Sequence, residues 1–244
     1  MSITKRQKQI LELLRDKSFL TVDKLSELTY TSPSSIRRDL TQLQNMCFIR
    51  RTHGGASILN DNNQPGPLSS RMSKNIIGKR KIAGKAASLI CDGQNVMLDS
   101  SSTAGFLLPH IAKRRDITLF TNNMITAVNA VNYGIKTNCI GGSSVNNSAV
   151  LSGAQAYKAV AEIHPDILFF SSHSIDKSGL ISDPTEEENY MRHLMIENAN
   201  QTVFLCDSEK FNRKSLYTLV SINDVDIAVF DAQWDDLKAK CRII

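Results

Sequence analysis

Residues 32–40 read SPSSIRRDL and residues 48–56 read FIRRTHGGA, and these two stretches decide the fold of the first third of the chain. Ser32 is a good N-cap for a helix, and Pro33 follows at the first helical position, where its missing N–H costs nothing. The helix then carries one apolar stripe at helical spacing, formed by Ile36, Leu40 and Leu43. The second stretch predicts a short β-hairpin that turns at its two adjacent glycines.

Two further helices are predicted before this stretch. Residues 4–16 place a row of apolar side chains on one helical face, namely Ile10, Leu11, Leu13 and Leu14. Thr21 is a good N-cap for a short second helix, whose apolar residues are Val22, Leu25 and Leu28. Three short helices followed by a hairpin are typical of a winged helix-turn-helix, which we predict for residues 1–58.

The side of the third helix opposite its apolar stripe is polar. A step of 100° per residue puts the following side chains there: Ser34, Arg38, Thr41 and Asn45. Their hydroxyl, amide and guanidinium groups are the types that contact base edges in a major groove. Three flanking side chains are expected to contact phosphates: Ser35, Arg37 and Gln42. Three more are expected on the wing beside the DNA: Arg50, Arg51 and His53. The alternative is a small helical domain with an ordinary polar surface.

Asp39 is an acidic residue within this basic region. Its carboxylate would repel a phosphate, so a structural role or a base contact remains. We favour the structural role, in which Asp39 holds an arginine such as Arg50 or Arg51 in place.

The charge of the chain is divided unevenly along its length. Residues 1–80 hold 14 Lys and Arg against six Asp and Glu, a net charge of +8. Residues 81–244 hold 15 against 18, a net charge of −3. A basic first third favours an anionic partner, with double-stranded DNA first, although a solvated basic face gives the same pattern.

The overall composition is that of an ordinary globular protein. The 244 residues allow one large domain or two modest ones, at roughly 100–200 residues per domain. Hydrophobic residues make up 41% and charged residues 22%, which argues against a disordered or fibrous protein. No apolar run approaches the roughly 18–20 residues that cross a bilayer, so we expect no membrane contact and a cytoplasmic location. The cysteines and histidines show no metal-ligand spacing, so neither a metal nor a cofactor is expected.

The segment after the hairpin predicts a linker and then a second domain. Turn-forming and polar residues dominate 60–67, and we assign 59–78 to the linker and 79–244 to an α/β domain. Six short apolar runs predict strands: Val96–Leu98, Ile117–Phe120, Thr137–Ile140, Ile167–Phe170, Thr202–Leu205 and Ile227–Phe230. Amphipathic stretches predict helices at Lys79–Ile90, Ala104–Ile111, Ile125–Tyr133, Ala154–Ile163 and Glu186–Ala199. Strands that alternate with helices favour a mostly parallel sheet covered on both faces.

The residues that follow these strands are unusually polar. Four strand ends are continued by Asp99–Thr103, Thr121–Asn123, Gly141–Ser144 and Asp207–Phe211. Ligands of parallel sheets bind at the carboxyl ends of strands, and hydroxyls at a helix start suit a phosphate. Each motif alone is more often a plain turn or helix cap, but four in one sheet predict a site for a phosphorylated ligand.

Both halves of the chain resemble the DeoR-type bacterial transcriptional regulators. The resemblance rests on the two stretches quoted first and on further motifs, namely MLDSSST (97–103), LFTNN (119–123), CIGG (139–142), LSGAQA (151–156), GLISDPTEEE (179–188) and LCDSEKF (205–211). It implies a second domain related to sugar-phosphate isomerases and a phosphorylated sugar as effector. By this resemblance the phosphate is held by Ser100, Ser101, Ser102 and Thr103. Four other residues are implied to face the sugar or phosphate: Asp99, Asn122, Glu187 and Lys210. Arg192 stands where the family commonly has Lys.

The leading functional hypothesis is a repressor of carbohydrate genes that binds an operator and responds to a phosphorylated sugar. Reading two half-sites favours a homo-oligomer, a dimer or tetramer assembled through the second domain. In a bacterium such a protein is cytoplasmic and lies on the nucleoid when bound to DNA. One alternative is a sugar-phosphate isomerase-like enzyme with an added nucleic-acid-binding module. A second alternative is an adaptor whose second domain only assembles subunits.

Overall fold

A computed structural model describes residues 4–17, 19–46, 48–52, 54–58, 68–145 and 148–244. The chain separates into two compact units, Met1–Arg71 and Met72–Ile244. This boundary lies within 59–78, the stretch that the sequence predicts as a linker, and helix α4 (Leu68–Ser73) contains it. No helix of the described residues is long and apolar enough to cross a membrane.

The first unit is a winged helix-turn-helix. Its elements are α1 (Lys5–Lys17), β1 (Phe19–Thr21), α2 (Val22–Thr29), α3 (Pro33–Asn45), β2 (Ile49–Thr52) and β3 (Gly55–Ile58). The predicted caps are present, because the Thr21 side chain accepts from the Lys24 N–H and the Ser32 side chain accepts from the Ser35 N–H. Apolar side chains of all three helices and all three strands form one buried core.

The sheet of this unit has one strand more than the predicted hairpin. Strand β1 pairs with β3 in antiparallel fashion, giving the order β1-β3-β2. Gly55 makes the close approach possible, since a Cβ there would lie 2.5 Å from the Leu20 carbonyl oxygen. The three residues of β1 are too short a run to stand out in the sequence.

The second unit is built on a seven-stranded sheet in which every pair of neighbours is parallel. From one edge to the other its strands are β15 (Arg242–Ile243), β14 (Ile227–Phe230), β12 (Thr202–Cys206), β9 (Ile167–Phe170), β4 (Asn95–Leu98), β5 (Thr118–Thr121) and β6 (Lys136–Cys139). A smaller antiparallel sheet contains β10 (Ser174–Ile175), β11 (Leu180–Asp183) and β13 (Tyr217–Ser221), and a two-stranded one contains β7 (Ser143–Ser144) and β8 (Leu151–Ser152).

Successive side chains of the central strands point to opposite faces of the large sheet. In β9, Ile167 and Phe169 join one buried cluster and Leu168 and Phe170 join another. The same alternation holds for β4, β12 and β14. Both faces are therefore covered, which explains why these strands are continuous apolar runs.

The helices of this unit are α5 (Ile76–Ala86), α6 (Ser102–Gly105), α7 (Leu108–Ile111), α8 (Met124–Asn132), α9 (Ala154–Ala161) and α10 (Glu186–Asn198). The sequence predicts one helix over Ala104–Ile111, and this is wrong, because two one-turn helices occupy the region. Pro109 in the first turn of α7 has no N–H to continue a helix from α6.

The order of the strands places a crossover point at the centre of the large sheet. From β4 the chain moves to β5 and β6 on one side, and it then returns to add β9, β12 and β14 on the other. The carboxyl ends of β4 and β9 therefore lie where ligands of open parallel sheets bind.

Candidate functional site

The outer face of α3 carries the side chains that the sequence assigns to DNA bases. Ser34, Arg38, Thr41 and Asn45 are all exposed, whereas Ile36, Leu40 and Leu43 are fully buried beneath them. This separation follows from the helical period, since the exposed set and the buried set lie on opposite faces. Within the first unit, the polar side of α3 therefore faces outward.

Contacts within the unit hold Gln42 on the flank of α3 and Arg51 on the wing. The Gln7 amide donates to Gln42 Oε1 at 2.6 Å, which ties α3 to α1. The Arg51 guanidinium donates to Thr41 Oγ1 at 3.2 Å, which ties the wing to α3. Ser35 is half-buried beside the Ser32 cap, and Arg37 is exposed. His53 and the side chain of Arg50 lie outside the described residues.

Asp39 has a structural role, and among the described side chains its arginine partner is Arg6 of α1; the side chain of Arg50 lies outside them. The Asp39 carboxylate is buried and accepts from Arg6 Nε at 2.5 Å and from the Gln7 amide at 3.5 Å. The hydrogen bond to Asp39 raises the pKa of Arg6 above its ordinary value. Asp39 lies on the inner side of α3 toward α1, where it meets Arg6, whereas Arg51 of the wing donates to Thr41.

The carboxyl end of β4 begins the second candidate site. Asp99, the first residue after this strand, is buried and accepts three hydrogen bonds. Its Oδ1 accepts from the Ser101 N–H at 3.0 Å, and its Oδ2 accepts from the Ser171 N–H at 3.2 Å and from Arg192 Nε at 2.9 Å. Asp99 thus shapes the loop of residues 99–103 and fixes it to the end of β9.

Arg192 is the buried centre of this network. Its guanidinium lies 2.9 Å from Asp99, 2.5 Å from Asp183 and 3.8 Å from Glu188, and all four side chains are almost fully buried. Burial by itself lowers the pKa of Arg192, but attraction to Asp183, Asp99 and Glu188 outweighs it and holds the pKa above its ordinary value. The arginine therefore stays charged and joins α10 to β11 and to the loop after β4.

Glu187, which the resemblance assigns to the ligand, does not belong to this network. The side chain of Glu187 is exposed, while that of Glu188 is buried beside Arg192. One helical position separates them by about 100°, so only one can point inward. The inward carboxylate of the acidic run is therefore that of Glu188.

The hydroxyl-rich loop after β4 is buried and only partly used by the protein. Ser101 caps α6 by accepting from the Ala104 N–H at 3.1 Å. Among the described residues Thr103 Oγ1 has no hydrogen-bond partner, although it is buried. Ser100 and Ser102 are also more than nine-tenths buried. Buried polar atoms in proteins are nearly always paired, so the unpaired hydroxyl of Thr103 is an exception within this loop.

Asn122 gives a second unpaired atom at the neighbouring strand end. Its amide nitrogen donates to the Leu151 carbonyl at 2.9 Å, and its buried Oδ1 has no partner among the described residues. The adjacent Asn123 donates to the Ser100 carbonyl at 3.2 Å and caps α8. The ends of β4 and β5 are therefore directly connected.

Lys210 closes the same edge of the sheet from the end of β12. Its ammonium donates to Ser171 Oγ at 2.8 Å and lies 3.5 Å from Asp207. The Ser171 N–H in turn donates to Asp99. Ser171 therefore connects Lys210 to the loop of residues 99–103. Ser171 is not among the residues predicted for the site, although its position directly after the buried strand β9 is the signal that points to it.

The loop after β6 lies against β8. Gly142 has φ +133, and a Cβ there would lie 2.5 Å from the Ser152 carbonyl oxygen. Backbone packing thus explains the second glycine of the CIGG motif. Within the described part of the chain no group of three or more His, Cys, Asp or Glu side chains could hold a metal ion.

Comparison with known proteins gives matches over both units. Residues 6–62 match the family model of the DeoR-like helix-turn-helix domain, and residues 74–232 match that of the DeoR C terminal sensor domain. The transcriptional repressor AccR of Agrobacterium fabrum is 32% identical over 93% of this chain and 89% of its own. The putative aga operon transcriptional repressor of Escherichia coli O157:H7 is 31% identical over 93% of this chain and 86% of its own.

Among solved structures, ribose 5-phosphate isomerase A of Methanocaldococcus jannaschii matches with 19% identity and a TM-score of 0.43. The match covers 57% of this chain and 55% of the isomerase.

Proposed function

Because the chain belongs to the DeoR family of transcriptional regulators, we propose that it is a repressor whose operator affinity is controlled by a phosphorylated sugar. The chain is a DNA-binding regulator and not an enzyme, since its curated relatives are named transcriptional regulators. A relative named the L-fucose operon activator supports carbohydrate genes as the target. The observation that carries the effector is the pair of buried unpaired oxygens, Thr103 Oγ1 and Asn122 Oδ1, at adjacent strand ends.

In the proposed DNA complex α3 enters the major groove. Arg38 is the one arginine on its outer face, where a guanidinium donates to guanine. The basic excess of the first unit supplies phosphate contacts, so affinity falls as salt is raised. Reading two half-sites requires two copies, so the regulator acts as a homo-oligomer assembled through the second unit.

Arg38→Ala tests the assignment of α3. We expect specific affinity to fall about 5- to 150-fold, the value of one good base contact, while the fold is kept because Arg38 is exposed. The measurement is a gel shift on an operator selected from a random-sequence library. Lys8→Ala removes an exposed charge from α1 and serves as the matched control. Equal effects of the two changes would take Arg38 out of the interface.

The effector is proposed to lie at the crossover point of the large sheet. Hydroxyls of Ser100, Ser102 and Thr103 bind the phosphate oxygens, and the Lys210 ammonium supplies the cation that a phosphate favours. Asn122 Oδ1 is an amide oxygen and can only accept a hydrogen bond, so we assign it a sugar hydroxyl as the donor. Asp99 does not contact the ligand in this arrangement, since its oxygens already hold Ser101, Ser171 and Arg192.

The test is a thermal-shift screen of the full chain with pentose and hexose phosphates. Each is compared with its unphosphorylated sugar and with inorganic phosphate, and the best compound is added to the gel shift. We expect only a phosphorylated sugar to raise the melting temperature and to change operator affinity. Ser102→Glu should abolish both effects by repelling the phosphate, whereas Ser88→Glu on the exposed side of the unit should keep them. A response that survives Ser102→Glu would contradict the phosphate site.

A further inference from the structure

A groove on the second unit, apart from the strand-end site, has an unusual lining. It has a volume of about 450 Å³ and lies among α9, α10 and β13. Three of the five tyrosines of the chain line it: Tyr157, Tyr190 and Tyr217. We call it the tyrosine groove. Its volume lies within the roughly 300–1,000 Å³ of typical small-molecule sites.

The aromatic walls of the tyrosine groove are fixed in place. The rings of Tyr157 and Tyr190 meet edge to face, with centroids 4.8 Å apart and an angle of 83°. The Tyr157 hydroxyl is bound to Ser152 Oγ at 3.1 Å, so this ring is held from behind. Tyr190 is half-exposed, and the face of an exposed tyrosine attracts cations.

The polar lining of the tyrosine groove combines hydrogen-bond acceptors with groups that can also donate, namely the tyrosine and Thr218 hydroxyls and His193. Glu186 and Glu187 contribute exposed carboxylates from the first turn of α10. The Asn189 amide nitrogen donates to the Thr218 carbonyl at 2.9 Å, and its Oδ1 is buried without a partner among the described residues. No described residue lining the groove carries a permanent positive charge.

Helix polarity explains only part of this arrangement. Acidic residues in a first turn are stabilised by the helix dipole without any ligand. The dipole does not account for three tyrosines around the same groove or for a buried carbonyl oxygen that lacks a donor. The tyrosine faces, the carboxylates and the Asn189 oxygen share one requirement, a positively charged hydrogen-bond donor.

We propose that the tyrosine groove binds a small cation that carries a guanidinium or ammonium group. The cation lies against the rings of Tyr157 and Tyr190, pairs with Glu187, and donates to Asn189 Oδ1. The net charge of −3 over residues 81–244 favours its approach. The site is independent of the proposed sugar-phosphate site, since it uses other residues and the opposite ligand charge.

The experiment compares two probes of the same shape, the n-butylguanidinium cation and neutral n-butylurea. Each is titrated into the full chain and followed by protein NMR shifts of the tyrosine ring protons. We expect saturable shifts with n-butylguanidinium only, weakened by added salt because the site is exposed. Equal binding of the neutral probe, or no saturable binding of the cation, overturns the proposal.

Two variants locate the binding. Glu187→Gln and Tyr190→Leu should each weaken n-butylguanidinium about 2- to 5-fold, as expected for an exposed ion pair or cation–π contact. Glu162→Gln, which neutralises an exposed carboxylate outside the groove, is the matched control and should have no effect. If all three variants bind equally, the proposal is wrong. The sugar-phosphate response should be unchanged in Glu187→Gln, so failure of either proposal is seen separately.

A last arm identifies the source of the cation. An arginine of a second copy offers the same chemistry as a free metabolite. If n-butylguanidinium dissociates an oligomer in sedimentation, and Glu187→Gln does so by itself, the groove receives that arginine. If the probe binds with the oligomer unchanged, the ligand is a free cation. Either result supports the proposed chemistry.

Discussion

Replacing Arg192 by Met tests how the second unit is held together. The change keeps much of the side-chain volume but leaves the carboxylates of Asp99, Asp183 and Glu188 buried without a countercharge. Removing one partner of a buried ion pair costs about 3–5 kcal/mol of unfolding free energy. Three carboxylates share this one guanidinium, so we expect the upper part of that range.

The assay is urea unfolding followed by the fluorescence of Trp234. This is the only tryptophan of the chain, and its ring stacks on Phe211 with centroids 4.3 Å apart, so it reports on the second unit. Arg115→Met is the matched control, because Arg115 pairs with Asp92 at 2.9 Å but is 86% exposed. An exposed pair contributes about 0–1 kcal/mol.

Two further measurements sharpen the test. Arg192→Lys keeps the charge but not the planar guanidinium that forms several hydrogen bonds at once. Its loss of unfolding free energy should therefore lie between the losses of Arg115→Met and Arg192→Met. In Arg192→Met the deficit should shrink as the pH is lowered, because the buried carboxylates then take up protons that the unfolded chain does not yet bind. The reasoning is refuted if Arg192→Met costs no more than Arg115→Met.

Three more outcomes are expected. Gly142→Ala should cost about 1–3 kcal/mol of unfolding free energy in the same assay, because its side chain would be strained at φ +133 and would meet the Ser152 carbonyl. Gly141→Ala is the control, since a Cβ there has open space, and its cost should stay within about 0.5–1 kcal/mol. Asp39→Asn should lower the free energy of unfolding of the first unit by about 1 kcal/mol, because it removes the charge that binds half-exposed Arg6. Unfolding is followed by circular dichroism, and no change would mean that solvent fully screens the ion pair. Burial raises the pKa of the Cys206 thiol, so mass spectrometry should find exposed Cys91 alkylated in the native protein and Cys206 only after unfolding.

Local signals in the sequence were sufficient for much of the fold. The caps at Thr21 and Ser32 and the proline at 33 act within four residues of the helices they start, and all three are present. The six predicted strands are present within one residue at each end, because apolar runs of three or four residues between helices leave few alternatives. The mostly parallel sheet and the winged helix-turn-helix followed from these elements.

Contacts between distant residues were beyond the sequence. Asp99 and Arg192 are 93 positions apart, and Arg6 and Asp39 are 33 apart. Their pairing depends on which helix packs against which strand end, and no local pattern encodes it. The choice between Glu187 and Glu188 has the same cause, since an acidic run at a helix start is compatible with either one pointing inward.

The sequence by itself determined the kind of protein. The family motifs, the capped third helix and the +8 charge of residues 1–80 made it a DNA-binding regulator, because each of these depends on residue type and short spacing. Only the tertiary structure decided which buried polar groups have no partner among the described residues. Whether a hydroxyl such as that of Thr103 or an amide oxygen such as that of Asn122 lacks a partner depends on every neighbour that the fold brings within 3.5 Å.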